Sequence, residues 1–294
     1  MNKKIVVIGS INNDLVIEVD SKPIMGQTVL GKNFIQVAGG KGANQAVACA
    51  RLGADVTFIG AVGDDIAGTV MVENLKANGV CTDYIKTVKG KPTGTAMILI
   101  CDGDNYIAVD QGANLHVCKE QITDDILKNA DMVLMQLEIP LETVKYALEK
   151  CKSLGVRTLL NPAPASKDPL VYDIIKIADI ITPNQNEICL LTKTQTVIMA
   201  VKELSDMGAG QIVLTMGGEG VIYSGFLHMP AVKVEHVVDT TAAGDSFSAA
   251  LAVALTEGKA FEKAVRFATK VGALTVTKKG AIPSLPYRNE VEDN

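Results

Sequence analysis

The stretch DMVLMQLEIPLETVKYALEKCKSLGVRTLL, Asp131 to Leu160, carries the pattern from which the fold is built. Asp131 to Leu137 is a continuous apolar run of strand length, the kind of segment buried on both faces of a sheet. Leu141 to Leu154 follows with apolar residues at helical spacing, Gly155 is placed as a C-terminal stop, and Val156 to Leu160 is a second apolar run. Strand alternating with helix makes a mostly parallel sheet flanked by helices.

The alternation extends outward in both directions. Lys4 to Gly9 and Gln211 to Thr215 have strand composition. Gly42 to Leu52, Asp65 to Asn78, Thr196 to Met207 and Ala243 to Thr256 have helical patterns, with Gly53, Gly79, Gly208 and Gly258 as stops. Two regions break the rhythm. Asp14 to Val37 and Thr82 to Asp110 alternate apolar and polar residues at strand period, with a turn signal at Cys101-Asp-Gly-Asp-Asn105. These insertions, about 14–37 and 82–110, predict antiparallel strands of a small β-sheet lid outside the main sheet. No linker, low-complexity tract or repeat divides the chain, so residues 1–294 are expected to form a single α/β domain.

Composition narrows the function. With 294 residues, 48% apolar and 21% charged, the chain has the make-up of an ordinary globular protein. Its 28 Lys and Arg against 33 Asp and Glu leave a net charge of -5, the wrong sign for a surface that neutralises phosphates, so no nucleic-acid partner is expected. No apolar run nears the roughly 18 residues of a spanning helix, and the opening MNKKIVVIGSINND turns polar too soon for a signal segment, so no membrane partner is expected. Cys49, Cys81, Cys101, Cys118, Cys151 and Cys189 contain no CxxC pair, which suits a cytoplasmic protein. His116 and Cys118 lack a second pair of ligands and are not expected to bind zinc.

Chemistry concentrates in a few turns. In Ala38-Gly-Gly-Lys-Gly-Ala-Asn-Gln45, glycines before a helix let backbone approach a ligand, although the same residues could simply cap the helix. The stretch matches neither GxxxxGK[ST] nor GxGxxG. Asp239-Thr-Thr-Ala-Ala-Gly-Asp245 opens another helix. The small residues Ala242, Ala243 and Gly244 can turn their amides on an anion, and those donors are expected to keep Asp245 ionised yet able to accept a hydroxyl proton. An activated alcohol beside an anion hole is what phosphoryl transfer requires; an N-cap carboxylate is the plainer alternative for Asp239 or Asp245. Thr182-Pro-Asn-Gln-Asn-Glu187 and Thr215-Met-Gly-Gly-Glu-Gly220 lie at strand exits, where open parallel sheets bind ligands. Asp14 and Glu138 add carboxylates at two further exits.

Taken together and in order, Gly9-Ser-Ile-Asn-Asn-Asp14, Gly39-Gly-Lys-Gly-Ala-Asn-Gln45, Met135-Gln-Leu-Glu138, Leu160-Asn-Pro-Ala-Pro-Ala165, Asp239 to Asp245 and Lys279-Gly-Ala-Ile-Pro-Ser284 resemble the ribokinase-like (PfkB) carbohydrate kinase family along nearly the whole chain. The resemblance implies a ribokinase-like α/β fold and transfer of phosphate from ATP to the 5-hydroxyl of D-ribose. It implies Asp245 as general base and the Ala242, Ala243 and Gly244 amides as anion hole. It places Asn12, Asn13, Asp14, Gly39, Gly40, Lys41, Gly42, Ala43, Asn44, Glu138 and Asp245 on the sugar. It assigns Asn184, Glu187, Thr215, Met216, Gly217, Gly218, Glu219, Gly220 and Gly244 to the nucleotide, with Mg2+. A K+ activator would sit among Asp239, Thr241, Thr275, Lys278, Gly280 and Ser284, and the lid strands would form a homodimer. Departures from the family pattern are Gln27, Gln185, Ser246-Phe-Ser-Ala249, Lys270 and Gly272. A related kinase for deoxyribose, a nucleoside or another sugar, and a catalytically silent sugar binder, are the alternatives; a nicotinamide oxidoreductase would need the GxGxxG that is absent.

Overall fold

The computed structural model describes residues 3–101, 104–194 and 196–292. In chain order, β1 (Lys4–Ile8), β2 (Asn12–Val19) and β3 (Gly31–Gly39) precede α1 (Lys41–Arg51). Then come β4 (Asp55–Gly63), α2 (Ile66–Ala77), β5 (Val80–Val88), β6 (Gly94–Cys101), β7 (Asp104–Asp110), α3 (Asp124–Lys128) and β8 (Met132–Met135). The quoted unit continues with α4 (Leu141–Leu154) and β9 (Thr158–Leu160), followed by α5 (Pro169–Ile177), β10 (Ile180–Ile181), α6 (Gln185–Thr192) and α7 (Val197–Asp206). The chain closes with β11 (Gln211–Thr215), β12 (Val221–Tyr223), β13 (Leu227–Met229), α8 (Ala243–Thr256), α9 (Phe261–Thr275) and α10 (Arg288–Glu292).

One sheet runs β5-β4-β1-β8-β9-β10-β11-β12-β13, parallel from β5 to β11 and antiparallel through the last two strands. The alternation of β1 shows how it is held: Ile5 and Val7 enter one core, Val6 and Ile8 the other. The first core is closed by α1, α8 and α9 through residues such as Val47, Leu251 and Val265. The second is closed by α4, α5 and α7 through Leu148, Ile174 and Leu204. Helix α8 is buried from Asp245 to Leu255, and its run of alanines lets it sit between the sheet and its neighbours.

The small sheet is present with order β3-β2-β6-β7, but its pairing differs from expectation. β2 and β6 are parallel, so the sheet is mixed, and only the outer pairs are antiparallel. The stretch from Thr82 to Val88 belongs to β5, at the edge of the large sheet beside β4. An edge strand with one wet face alternates as a lid strand does, which is why the pattern misassigns it. The turn expected at Cys101 to Asn105 includes residues 102 and 103, outside the described residues.

From β1 the large sheet grows to β4 and β5 on one side and to β8 through β11 on the other. The reversal puts a crevice at the carboxyl ends of β1 and β8, and the small sheet leaves the chain immediately after β1.

Candidate active site

The crevice is assembled from short-range constraints. Ser10, fully buried just beyond β1, donates its hydroxyl to Glu138 Oε2 at 2.5 Å. The same carboxylate oxygen accepts the Lys41 amide at 3.2 Å, while the Gly42 amide donates to Ser10 Oγ at 3.3 Å. The start of α1 is thereby fixed to the ends of β1 and β8. A Cβ at Gly42 would lie 2.6 Å from Ser10 N, so only glycine permits this approach. Asn114, also buried, braces the first residues of β2: its Oδ1 accepts from Ile11 N at 2.9 Å and its Nδ2 donates to Asn12 Oδ1 at 2.8 Å.

Asp14 points into the crevice with its Oδ1 buried and partnerless. Burial first, then the charges of Glu138 and Asp245, push its carboxyl up to about 7 against the opposing pull of Lys41. Asn13 lies on the opposite face of β2, where its Oδ1 accepts from Gln36 Nε2 at 2.8 Å.

Asp245 sits buried in the first turn of α8. Its Oδ2 accepts from Asn44 Nδ2 at 2.9 Å and its Oδ1 from Gln45 Nε2 at 3.0 Å. The sequence-based expectation that helix amides hold this group is corrected here: its donors are two side-chain amides. Burial raises its pKa, and the Lys41 charge with the hydrogen bonds from Asn44 and Gln45 only partly oppose that rise. Ala242 enters the helix with φ 61, and the Ala243 amide turns to Thr240 O at 3.3 Å. Gly244 is exposed, with open space where a Cβ would stand.

Three cavities meet around this turn. One of about 190 Å³ is lined by Lys41, Asn184, Glu187, Gly244 and Asp245 among others. A second, of about 380 Å³, runs along Thr215, Gly217, Gly218, Gly220 and Gly244 to apolar walls at Val232 and Phe247. A third, of about 500 Å³, lies under the small sheet between Asp14, Val16, Ile98 and the Asp239 loop. Thr240 lines all three. Met216 and Glu219 line none of them; Met216 is buried, and the Glu219 carbonyl meets a ring nitrogen of His228 at 2.8 Å.

Asn184 and Glu187 have a structural role as well, capping α6 reciprocally through two 2.8 Å bonds. Burial raises the Glu187 carboxyl, Asn184 and Lys41 lower it, and Asp245 raises it further. Lys41 is raised in turn: burial disfavours its charge, but Asp245, Glu138, Glu187 and Asp14 outweigh that.

Of the residues suggested for K+, Asp239, Thr241 and Gly280 are bonded together. Asp239 accepts from Thr241 N (2.9 Å), Thr241 Oγ1 (2.6 Å) and Gly280 N (2.8 Å). Burial alone would raise its pKa, and these bonds instead hold it below the usual carboxylate range. Thr275 and Ser284 commit their hydroxyls internally, to Ser246 and Val271 and to Ala281, and Lys278 pairs with Glu290 at 2.5 Å. Among the described residues, no set of three or more His, Cys, Asp or Glu side chains is arranged to hold a metal.

A family model for "pfkB family carbohydrate kinase" matches residues 2–288. The chain belongs to this family. A ribokinase of Bacillus subtilis (strain 168) is 45% identical, with 99% of each chain covered. A ribokinase of Haemophilus influenzae is 39% identical over 99% of this chain and 97% of its own. The structure of Arabidopsis thaliana ribokinase complexed with ribose and ATP superposes with a TM-score of 0.91 at 36% identity, covering 100% of this chain and 98% of that one.

In this pfkB-family crevice, Ser10, Gln45, Asn114, Gln136 and Thr240 are parts of the site that the sequence reading assigned no role. Ser10, Gln45 and Gln136 sit inside or beside quoted motifs but are fully buried, and polar residues within apolar patterns carry no signal of what they face. Thr240 was within reach, being inside Asp239 to Asp245.

Proposed function

We propose that the chain transfers the γ-phosphate of ATP to the 5-hydroxyl of D-ribose, with Asp245 as the general base. The observation that carries this reading is the placement of Asp245. It is buried, tethered at both oxygens, and lines the cavity that also holds Lys41, Glu187 and Gly244. In the reaction the sugar O5–H proton passes to the Asp245 carboxylate as O5 bonds to the γ-phosphorus and the bond to the ADP oxygen breaks. Gly244 is exposed at the start of α8 with open space where a Cβ would stand, so phosphoryl oxygens could approach its backbone there, and the helix dipole favours their charge. Asp14 Oδ1, buried and partnerless, is an acceptor for a sugar hydroxyl, with Asn12 and Glu138 nearby in the fold.

ATP would lie along the cavity of Thr215 and the glycines Gly217, Gly218 and Gly220, with its base against Val232 and Phe247. Mg2+ would arrive with the nucleotide, since among the described residues the cavity offers the carboxylates of Glu187 and Asp245 but no cage of three or more acidic ligands. When bound, it would neutralise phosphate charge. K+ would sit beside the Asp239 loop, a reading supported by the bond from Gly280 N to Asp239 Oδ2, which draws two loops together around a carboxylate held below its ordinary range. With their hydroxyls committed, Thr275 and Ser284 would offer carbonyls. The small sheet would close over the sugar and exclude water, and the exposed Phe34, Met97 and Tyr106 on its other face would form a homodimer. Dependence on ATP places the work in the cytoplasm.

ADP release from Mg-ATP, measured with D-ribose, 2-deoxyribose, fructose and adenosine, each with and without potassium, tests the reading. A strong preference for ribose that rises with potassium is expected. Absence of turnover with ribose would refute it.

A further inference from the structure

Below Asp245 lies a chain of amide side chains with a fixed direction. Asn161 Nδ2 donates to the main-chain carbonyl of Thr182 at 2.8 Å. A carbonyl can only accept, so Asn161 must turn its Oδ1 the other way, toward Gln45. Gln45 therefore presents its NH2 group there, at 3.3 Å, and the same NH2 donates to Asp245 Oδ1 at 3.0 Å. Its Oε1 faces Gln136, whose Nε2 donates at 2.6 Å. Gln45 and Gln136 are fully buried, and the space for Gln136 exists because residue 9 is glycine; a Cβ there would overlap Gln136 Oε1. The polarity of the chain is thus set by a backbone carbonyl, independently of the protonation of Asp245.

We propose that Gln45 is a positioning residue for phosphoryl transfer, tethering Asp245 Oδ1 through an amide whose sense is locked by Asn161 and Gln136. This rests on the assignment of Asp245 as base. Gln45 lines none of the three cavities, so it acts through Asp245 and not on sugar or nucleotide. Each carboxylate oxygen keeps a second acceptor position, so a hydroxyl can approach while both tethers hold. The tether favours the carboxylate over the acid. The charged groups facing Asp245 are Lys41 of α1, Asp14 of β2, Glu138 after β8 and Glu187 of α6, and the amide tether acts in addition to them.

The test compares full-length wild type, Gln45→Met, Gln136→Met and Asp245→Asn in steady-state kinetics across pH. Gln45→Met keeps the volume and removes the donor. It should lower kcat by about tenfold to a hundredfold, the size of a lost hydrogen bond to a charged group. The ribose KM should stay within about twofold, and the acid limb of kcat, read at saturating ribose so that the titration of Asp14 in the free protein does not enter, should move up by about one pH unit. Gln136→Met leaves the donor in place but frees its amide, giving a smaller change in the same direction. An unmoved acid limb in Gln45→Met would overturn the proposal, because a mere packing defect does not shift that limb. Should Gln45→Met fail to fold, an unmoved limb in Gln136→Met overturns it instead. If Asp245→Asn retains full activity, the base assignment itself fails; if that variant is inactive while both glutamine variants match wild type, only the positioning role fails.

Discussion

Asn44 and Asp245, 201 residues apart in sequence, meet through a 2.9 Å bond from Nδ2 to Oδ2 that ties the first turn of α1 to the first turn of α8. Under the proposed function, the helix start that would hold the sugar and the one that would hold the phosphate are thereby set on one carboxylate. Asp245→Asn preserves the shape of this junction and removes the base. Its kcat should fall by about three orders of magnitude or more, while ribose still binds by calorimetry within about tenfold of wild type. A variant with wild-type kcat would exclude Asp245 from proton transfer.

Asp14 links ribose affinity to pH. Its carboxyl is raised to about 7 by burial and by its acidic neighbours, and the ionised form accepts sugar hydroxyls more strongly than the acid does. Ribose affinity should therefore rise as pH increases through about 7, with proton release on binding. Calorimetry in buffers of different ionisation enthalpy reads that release. In Asp14→Asn the affinity should be weaker and its pH dependence flattened; an unchanged slope would mean another group is responsible.

The same shift bears on stability with the opposite sense. A carboxyl whose folded value is raised holds its proton longer in the folded chain, so its contribution to stability declines as pH rises from its ordinary value of 3.8 to about 7. The melting temperature of the sugar-free protein should include a loss across that range which Asp14→Asn removes. Saturating ribose should raise the melting temperature more at pH 8 than at pH 6. Equal ribose-induced shifts would count against the assignment.

Much of this site was legible in sequence, and the failures have physical causes. The quoted unit at Asp131 to Leu160 folds as read, because strands buried on both faces and a helix with a clear stop leave one solution. Lys41, Asn44, Glu138, Asn184, Glu187 and Asp245 lie at strand exits or helix starts, where local pattern and ligand geometry coincide, whereas Asp14 lies inside β2 and not at the exit of β1. The assignment of Thr82 to Val88 to the lid failed because a half-wet edge strand and a lid strand share one period. The donors that hold Asp245 come from Asn44 and Gln45 and not from its own helix turn, and long-range pairing of that kind leaves no local trace. Asn13 was grouped with Asp14, yet the pleat turns successive residues to opposite faces.

Gly40 has φ 91, and a Cβ there would fall 2.7 Å from Asn12 N and 3.0 Å from Ser10 O. Gly40→Ala should cost about 1 to 3 kcal/mol in stability from backbone strain, and should raise the ribose KM by displacing Asn12. Denaturant melts and kinetics check both effects. Wild-type values in both would show that the turn has room the geometry denies.

Arg51 connects α1 to the loop that carries Gly280. Its guanidinium donates to the carbonyls of Ile282 and Leu285, each at 2.8 Å, and to Asn78 Oδ1 at 2.9 Å, and it stacks 4.7 Å from the Tyr287 ring. Arg51→Met should lower stability by about 2 kcal/mol and raise the potassium concentration needed for half activation, since the 280–285 segment would loosen. Unchanged potassium dependence would detach this segment from the ion.

The most direct test of the central claim is to follow D-ribose and Mg-ATP by 31P and 13C NMR with wild type and Asp245→Asn side by side. The account predicts that wild type forms a single phosphate ester on the C5 oxygen with matching ADP release, and that the variant forms almost none. An ester at another carbon, or product formation by the variant at the wild-type rate, would contradict it.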